Sequence, residues 1–184
     1  IKTGLSFQYD DYIENLNAVN YDRLEHVPGA FVEYTYNHLE KFNAVIGLRG
    51  DVHNEYGAFL TPRVHLRYSI NDKTTLRASV GRGLLSANIL SENTSIFASS
   101  RQFIINGDGS NKPYGLDPEI AWNYCLNLTY KFTLDYRNGS VSVDFYRTDF
   151  QNQIVVDLDQ DPQQAIFYNL DGQSYSNSFQ AQVD

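Results

Sequence analysis

Three carboxylates at alternate positions, Asp157, Asp159 and Asp161, have the spacing with which an EF-hand calcium loop begins. Such a loop needs glycine at its sixth position and a bidentate glutamate at its twelfth. Those positions are Pro162 and Tyr168 in this chain. The standard calcium loop is therefore excluded, and a less regular calcium site in an outer loop stays as an alternative.

No residue pattern in the sequence indicates a catalytic site. The four histidines, His26, His38, His53 and His65, follow no metal-ligand spacing, and the chain contains neither a glycine-rich phosphate loop nor a nucleophile elbow. The single cysteine, Cys125, excludes an internal disulfide and any multi-cysteine metal site. We therefore predict no enzyme, no metal centre and no cofactor.

The segment from residue 83 to residue 117 carries mixed polar chemistry that suits ligand binding. Long loops held by rigid strands are where binding residues concentrate. The candidates are Asn88, Glu92, Arg101, Gln102, Asn106, Asp108 and Tyr114. The alternative for each one is a solvated loop residue that packs only on its neighbours.

The element that must position such a loop is clearest between Trp122 and Tyr136. Every even position in this segment is apolar, and every odd position is polar or a cysteine. A period of two that holds over fifteen residues predicts one long β-strand with two unlike faces.

Three hairpins follow from matching the apolar faces of neighbouring strands. Asn138-Gly139 is a strong type I′ turn signal and predicts pairing of Tyr136 with Val141, Leu134 with Val143 and Phe132 with Phe145. A three-residue connection at 71–73 pairs Tyr68 with Leu76, Leu66 with Ala78 and Val64 with Val80. A hairpin around 38–40 pairs Tyr36 with Phe42, Tyr34 with Ala44 and Val32 with Ile46.

Short connections at 38–40, 71–73 and 138–139 alternate with longer ones at about 10–29, 50–62, 83–118 and 151–175. Since alternate connections of antiparallel strands emerge at opposite ends, all short turns lie at one end of the sheet. Bacterial outer-membrane barrels arrange short periplasmic turns and long extracellular loops in this way.

A soluble β-sandwich also alternates apolar and polar residues, but its strands are usually about 5–6 residues long. The segment 122–136 is much longer, and aromatic rings stand at both ends of its apolar face, as in the girdles of a membrane barrel. No run of 18 apolar residues predicts a membrane-spanning helix. The net charge of -8 disfavours a nucleic-acid partner.

The sequence thus predicts an all-β, antiparallel transmembrane β-barrel that is partial, with about eight strands. Arg63, His65, Arg67 and Arg77 fall on its polar face, toward the lumen, with Arg67 directly opposite Arg77. That pair is either solvated or contacts acidic groups of something that fills the barrel. The many charged side chains on this face predict a larger parent barrel, so the first and last strands should not pair with each other.

Several stretches resemble TonB-dependent outer-membrane receptors, the active transporters of Gram-negative bacteria. They are the strand start Thr61-Pro62-Arg63, the run from Thr75 to Gly83 that ends in Gly81-Arg82-Gly83, Pro118-Glu119, the run from Phe145 to Ile154, and Tyr168-Asn169-Leu170. The segment after Gly83 departs from the family's pattern, because Leu84 to Ala87 replace its aromatic, arginine and proline residues. The likeness is to cobalamin- or siderophore-type receptors of Bacteroidetes-like bacteria.

This resemblance implies that residues 1–184 are part of one barrel domain of about 22 strands, with the plug domain and its contact to TonB outside the chain. It implies a bacterial outer-membrane protein, in contact with lipid, that binds a scarce small molecule or chelate at its outer loops and imports it with TonB-coupled energy. A passive porin and a soluble adhesin-like β module are the alternatives.

Overall fold

A computed structural model describes all residues from 1 to 184. The strands are β1 (Lys2–Tyr12), β2 (Asn15–Leu16), β3 (Val19–Asn20), β4 (Arg23–His38), β5 (Phe42–His53), β6 (Gly57–Ser69), β7 (Thr74–Leu85), β8 (Gln102–Ile105), β9 (Glu119–Leu134), β10 (Arg137–Gln151), β11 (Ile154–Asp157), β12 (Gln164–Asn169) and β13 (Ser174–Val183). One helical turn, α1 (Ile89–Glu92), and two 3-10 turns lie between β7 and β9. None of these helices is long and apolar enough to cross a membrane.

Eight long strands form one sheet in the order β1-β4-β5-β6-β7-β9-β10-β13, and every neighbouring pair is antiparallel. The chain therefore meanders across the sheet without a crossover. The first and last strands each have only one neighbour, so the sheet is open, as expected for part of a larger barrel. Two small sheets, β11-β12-β8 and β2-β3, belong to the connections at one end.

The two faces of the large sheet are unlike, as predicted. In β9 the even-numbered side chains Leu126, Leu128 and Tyr130 are 44 to 49% exposed although they are large and apolar. Only 14 of the 184 residues are buried, because this sheet packs on no second layer. A face of exposed leucine, tyrosine and phenylalanine fits the hydrocarbon of a bilayer better than it fits water.

The hairpin around residues 71–73 is confirmed in turn and register. Tyr68 lies opposite Leu76, and Leu66 lies opposite Ala78. The Asn71 side chain accepts hydrogen bonds from the backbone N–H groups of Lys73 and Thr74, at 2.9 and 2.8 Å. This local bonding explains why the asparagine fixes the loop length.

The predicted turn at Asn138-Gly139 is wrong. The chain turns at Asp135 and Tyr136, both with positive φ, and β10 already begins at Arg137, so Val141 lies opposite Tyr130. Gly139 is opposite Phe132, and a Cβ atom there would stand 2.6 Å from the Phe132 ring. The glycine therefore makes room for an aromatic side chain inside the strand pair instead of forming the turn.

The predicted register around 38–40 is also wrong, by two residues. Tyr36 pairs with Ala44, Tyr34 with Ile46 and Val32 with Leu48, across a loop in which Leu39 and Glu40 have positive φ. Shifts by an even number leave each side chain on its own face, so face matching cannot detect them.

The predicted long connection at 50–62 is wrong as well. It is the three-residue loop Asn54–Tyr56, because β5 runs to His53 and β6 starts at Gly57. The other long connections are shorter than predicted: they span residues 13–22, 86–118 and 152–173. The three turns that were predicted to be short nevertheless all lie at one end, which we call the turn end. The long connections lie at the opposite, loop end, together with the short loop Asn54–Tyr56.

The hydrophobic core of the molecule lies within the loops. Its fully buried members are Ala87, Ile89, Tyr114, Leu116, Ala165 and Phe167. They come from the 86–118 and 152–173 connections, which are also joined by the parallel pairing of β8 with β12. These two connections, which we call the loop module, therefore form one packed unit at the loop end.

Candidate functional site

The candidate site is the polar face of the sheet at its loop end, where β1, β4, β5 and β6 meet the start of the loop module. Inward-facing positions of these strands alternate with the apolar ones, so charged side chains at i and i+2 share this face. Arg23 and Glu25 in β4, and Arg49, Asp51 and His53 in β5, follow this pattern. Glu25, Asp51 and His53 are 2 to 4% exposed.

Arg23 is the centre of the site. Its guanidinium donates to Glu25 at 2.8 Å, to Asn88 at 2.6 Å and to Glu14, and it lies 3.9 Å over the ring of Tyr12. Arginine is suited to this place because its planar fork can serve several acceptors at once. One side chain of β4 thus joins the sheet to the 13–22 connection and to the loop module.

His53 extends the network on the neighbouring strand. Its Nδ1 accepts a hydrogen bond from the backbone N–H of Glu55 at 3.1 Å, and its Nε2 lies 3.2 Å from Glu25 Oε2. Since Nδ1 is an acceptor here, the ring hydrogen is on Nε2 and is donated to Glu25. The imidazole thereby holds the carboxylate in place.

Two tyrosines, the buried Tyr114 and the partly buried Tyr56, attach the loop module to this network. The Tyr114 hydroxyl donates to Glu14, and the Tyr56 hydroxyl accepts from the backbone N–H of Ala87 at 3.3 Å. Burial raises the pKa of Tyr56 to about 12, and it also raises the pKa of Tyr114 above its ordinary value. Both phenols are therefore protonated at neutral pH and act as hydrogen-bonding links.

The structure divides the loop residues predicted to bind ligand into two groups. Asn88, Arg101 and Tyr114 contact protein: Asn88 is bound to Arg23, Tyr114 to Glu14, and Arg101 donates to the backbone carbonyl of Leu158 at 2.9 Å. Glu92, Gln102 and Asn106 are exposed. Their role in binding stays a prediction.

Three loop carboxylates have a shifted pKa or local hydrogen-bond partners. Partial desolvation by the neighbouring loop residues, together with the nearby Glu119, raises the pKa of Glu92, although the residue as a whole is exposed. Hydrogen bonds from Ser110 lower the pKa of Asp108 to about 2. In the acidic run, Asp157 accepts from the backbone N–H groups of Asp159 and Gln160, so it forms a turn.

All four residues predicted to face the lumen lie on the polar face. Arg63 donates to Glu33 at 2.8 Å, and Arg67 lies directly opposite Arg77. Arg77 donates to Asn127 at 3.0 Å and to Thr129 at 3.2 Å. The contact of this face with a plug stays a prediction.

The sequence analysis missed Arg23, Glu25, Arg49 and Asp51 as site residues. Their signal was present, because charged residues at alternate positions on a strand must share a face. It was hidden because connections were predicted at 10–29, which contains Arg23 and Glu25, and at 50–62, which contains Asp51 and begins directly after Arg49. In the structure β4 starts at Arg23 and β5 runs to His53.

The comparisons with known proteins agree on one family. A family model described as "TonB dependent receptor-like, beta-barrel" matches residues 2–183. The probable TonB-dependent siderophore receptor PirA of Acinetobacter baumannii is 21% identical over 141 residues, which are 70% of this chain and 17% of that protein.

Three solved structures show the same fold. The siderophore receptor PirA from Acinetobacter baumannii has a TM-score of 0.68 at 16% identity, over 98% of this chain and 31% of that one. PirA from Pseudomonas aeruginosa has a TM-score of 0.64 at 15% identity, over 87% and 28%. A mutant of the ferric enterobactin receptor PfeA from Pseudomonas aeruginosa has a TM-score of 0.63 at 17% identity, over 88% and 24%.

The chain thus spans less than a third of each of these relatives. Within that span, the family model covers almost every residue, and the open antiparallel sheet reproduces part of the relatives' barrel wall. The chain therefore belongs to the TonB-dependent receptor family and forms part of its β-barrel.

Proposed function

We propose that this chain is a sector of the barrel wall of an outer-membrane receptor that imports a scarce chelate, a siderophore or a cobalamin. Residues 1–184 then lie within one barrel domain, and a plug domain outside this chain contacts the TonB complex. The apolar face contacts outer-membrane lipid of a Gram-negative bacterium. The polar face contacts the lumen, and the loop module meets the ligand.

The family match over residues 2–183 carries this proposal. The relatives named above are siderophore receptors, which favours a chelate as cargo. The fold also supports the loop module as the part that contacts the ligand. The buried core of the loop module and its hydrogen bond to Arg23 hold it in a fixed position at the end of the barrel wall. No bond-making chemistry is required of the chain.

Uptake by the full-length receptor tests the proposal. The receptor is expressed in a Gram-negative strain that lacks its own siderophore and cobalamin receptors, with and without TonB. The probes are 55Fe-loaded hydroxamate and catecholate siderophores and 57Co-labelled cyanocobalamin. We expect saturable uptake of one of them that depends on TonB. Equal uptake without TonB would indicate the passive porin instead.

Two kinds of variant assign the ligand contact. Deletion of residues 86–115 should abolish uptake while the barrel still shows heat-modifiable mobility in electrophoresis. The finer variant replaces the exposed amides Gln102 and Asn106 with alanine and should raise the KM of uptake. Its matched control replaces Gln180 and Gln182, exposed amides of β13, and should leave the KM unchanged. Unchanged uptake after the deletion would refute the loop assignment.

A further inference from the structure

A cavity of about 410 Å³ opens on the polar face at the loop end, between the strands and the start of the loop module. Its walls include the amides of Gln8 and Asn88, the hydroxyl groups of Tyr12 and Thr61, and the Arg49-Asp51 pair. A concave site with a few fixed polar groups is the usual form of a small-ligand subsite. The chemistry of those groups determines which ligand can enter.

The cations of this cavity are already neutralised. Arg49 donates to both oxygens of Asp51, each at 2.7 Å, and to Ser6 at 2.8 Å. The Glu25 carboxylate behind them is held by Arg23 and by His53. What remains to meet a ligand is a set of uncharged donors and acceptors. An anionic group that entered here would lose its hydration without gaining a free cation.

The surroundings of the cavity are strongly acidic. The segments that form the loop end, 8–25, 49–57, 82–119 and 147–175, hold sixteen acidic and six basic residues, a net charge of -10. The whole chain has a net charge of -8, so the rest of the chain is slightly basic. The excess negative charge of this chain is therefore concentrated where a ligand arrives.

Each of the six cations at the loop end already has a protein partner. Four are ion-paired with carboxylates, and two donate to backbone carbonyls. The paired ones are Arg23, Arg49, Lys112 and Arg147, and the other two are Arg82 and Arg101. A mouth lined in this way repels anions and attracts cations over about a Debye length.

We propose that this cavity binds an uncharged or cationic, hydrogen-bonding part of a chelate, and that this sector of the barrel therefore selects hydroxamate-type chelates over polyanionic catecholates. The inference rests on the proposed function and narrows its ligand class. A trishydroxamate presents amide-like oxygens and N–H groups that match the amides and hydroxyls of the cavity. A ferric triscatecholate carries a large net negative charge, and at this loop end carboxylates outnumber cations by sixteen to six.

Binding to the purified full-length receptor tests this selection. The probes are ferrioxamine B, a cationic trishydroxamate complex, and ferric enterobactin, a polyanionic triscatecholate complex. We expect ferrioxamine B to bind at least about tenfold more tightly at low salt, and this ratio to fall as salt screens the field. The reverse preference would overturn the proposal.

A pair of matched variants locates the selection in the cavity. Asp51→Asn frees Arg49 inside the cavity, and Asp149→Asn frees Arg147, the same kind of i,i+2 pair on the opposite, apolar face. Both raise the net charge by one. We expect Asp51→Asn to reduce the preference for ferrioxamine B by roughly three- to tenfold and Asp149→Asn to change it less than about twofold. Equal effects of the two would overturn the assignment to the cavity.

Because Asp51 is buried, its replacement also removes a buried ion-pair partner. A second variant therefore adds a cation to the cavity wall and leaves Asp51 in place. Thr61→Lys places an ammonium group on the cavity wall and should shift the preference in the same direction as Asp51→Asn. No shift in either folded variant would contradict the proposal. Tight binding of ferric enterobactin overturns only the charge preference, whereas binding of no chelate and no cobalamin contradicts the proposed function as well.

Discussion

Replacing Arg23 with glutamine should release the loop module from the barrel wall. The Arg23 side chain is 8% exposed, and its guanidinium serves Glu14, Glu25 and Asn88 at once. Glutamine keeps a polar side chain but can neither reach all three nor carry a charge. Glu25, whose side chain is 3% exposed, would then keep only His53 as a partner.

The size of the effect follows from burial. Removal of one partner from a buried ion pair costs about 3–5 kcal/mol, because a charge is left buried without compensation. We take about 3 kcal/mol, the lower end of that range, because the Glu14 side chain is 14% exposed and can be rehydrated. At about 1.4 kcal/mol for each factor of ten, this corresponds to a roughly 100-fold increase in the open population of the loop module.

Hydrogen exchange of the full-length receptor measures this opening. The reporter amides are those of Ala87 and Asp108, which donate to Tyr56 and to the backbone carbonyl of Gly115. Their protection should fall by about two orders of magnitude in Arg23→Gln, while the amides of β9 keep theirs. The control, Arg77→Gln, removes an exposed arginine of the same face and should change protection less than about threefold. Equal protection in Arg23→Gln and the wild type would refute the role given to Arg23.

Two further predictions concern the wall and the loop end. Gly139→Leu should clash with the Phe132 ring and lower the midpoint of thermal unfolding, whereas Gly83→Leu, where a Cβ atom meets nothing within 4 Å, should change it much less. Equal midpoints would contradict the packing role of Gly139. Because burial raises the pKa of Tyr56 to about 12, its contribution to stability is present below pH 10 and is lost as the pH rises from 10 to 12. The late-titrating part of the tyrosinate absorbance near 295 nm should be smaller by one tyrosine in Tyr56→Phe but unchanged in Tyr136→Phe, a fully exposed control. Tyr114 still titrates late in both variants, so a late component of undiminished size in Tyr56→Phe would refute this prediction.

The sequence was sufficient to predict which face each side chain takes. The alternation from Trp122 to Tyr136 is a direct consequence of strand geometry, and it holds in the structure as far as Leu134, where β9 ends. The hairpin at 71–73 was also predictable, because the Asn71 side chain bonds to the backbone of its own turn.

Register and strand ends were less predictable for physical reasons. A shift of the strand register by an even number of residues leaves every side chain on the same face of the sheet. The alternation therefore does not distinguish Asn138-Gly139 from Asp135-Tyr136 as the turn. The deciding factor is the space that Phe132 needs beside Gly139, which is a three-dimensional contact.

The candidate site could be predicted only in part. Asn88 and Tyr114 were identified from their residue types. Their partners, Arg23 in β4 and Glu14 in the 13–22 connection, lie 65 and 100 positions away in the sequence. Such contacts depend on how the loop module packs, and that packing is set by its own apolar core around Phe167.

The most direct test of the account is a scan of nitroxide labels along residues 124–132 of β9. The full-length receptor is reconstituted into lipid bilayers, and Cys125 is replaced by serine in every variant that is labelled at another position. Collisions with dissolved oxygen report contact with lipid, and collisions with a water-soluble nickel complex report contact with an aqueous lumen. The account predicts a period of two, with Leu126, Leu128 and Tyr130 accessible to oxygen and the odd-numbered positions accessible to nickel. Equal accessibility of even and odd positions, or nickel access at Leu128, would contradict the assignment of this chain to a membrane-spanning barrel wall.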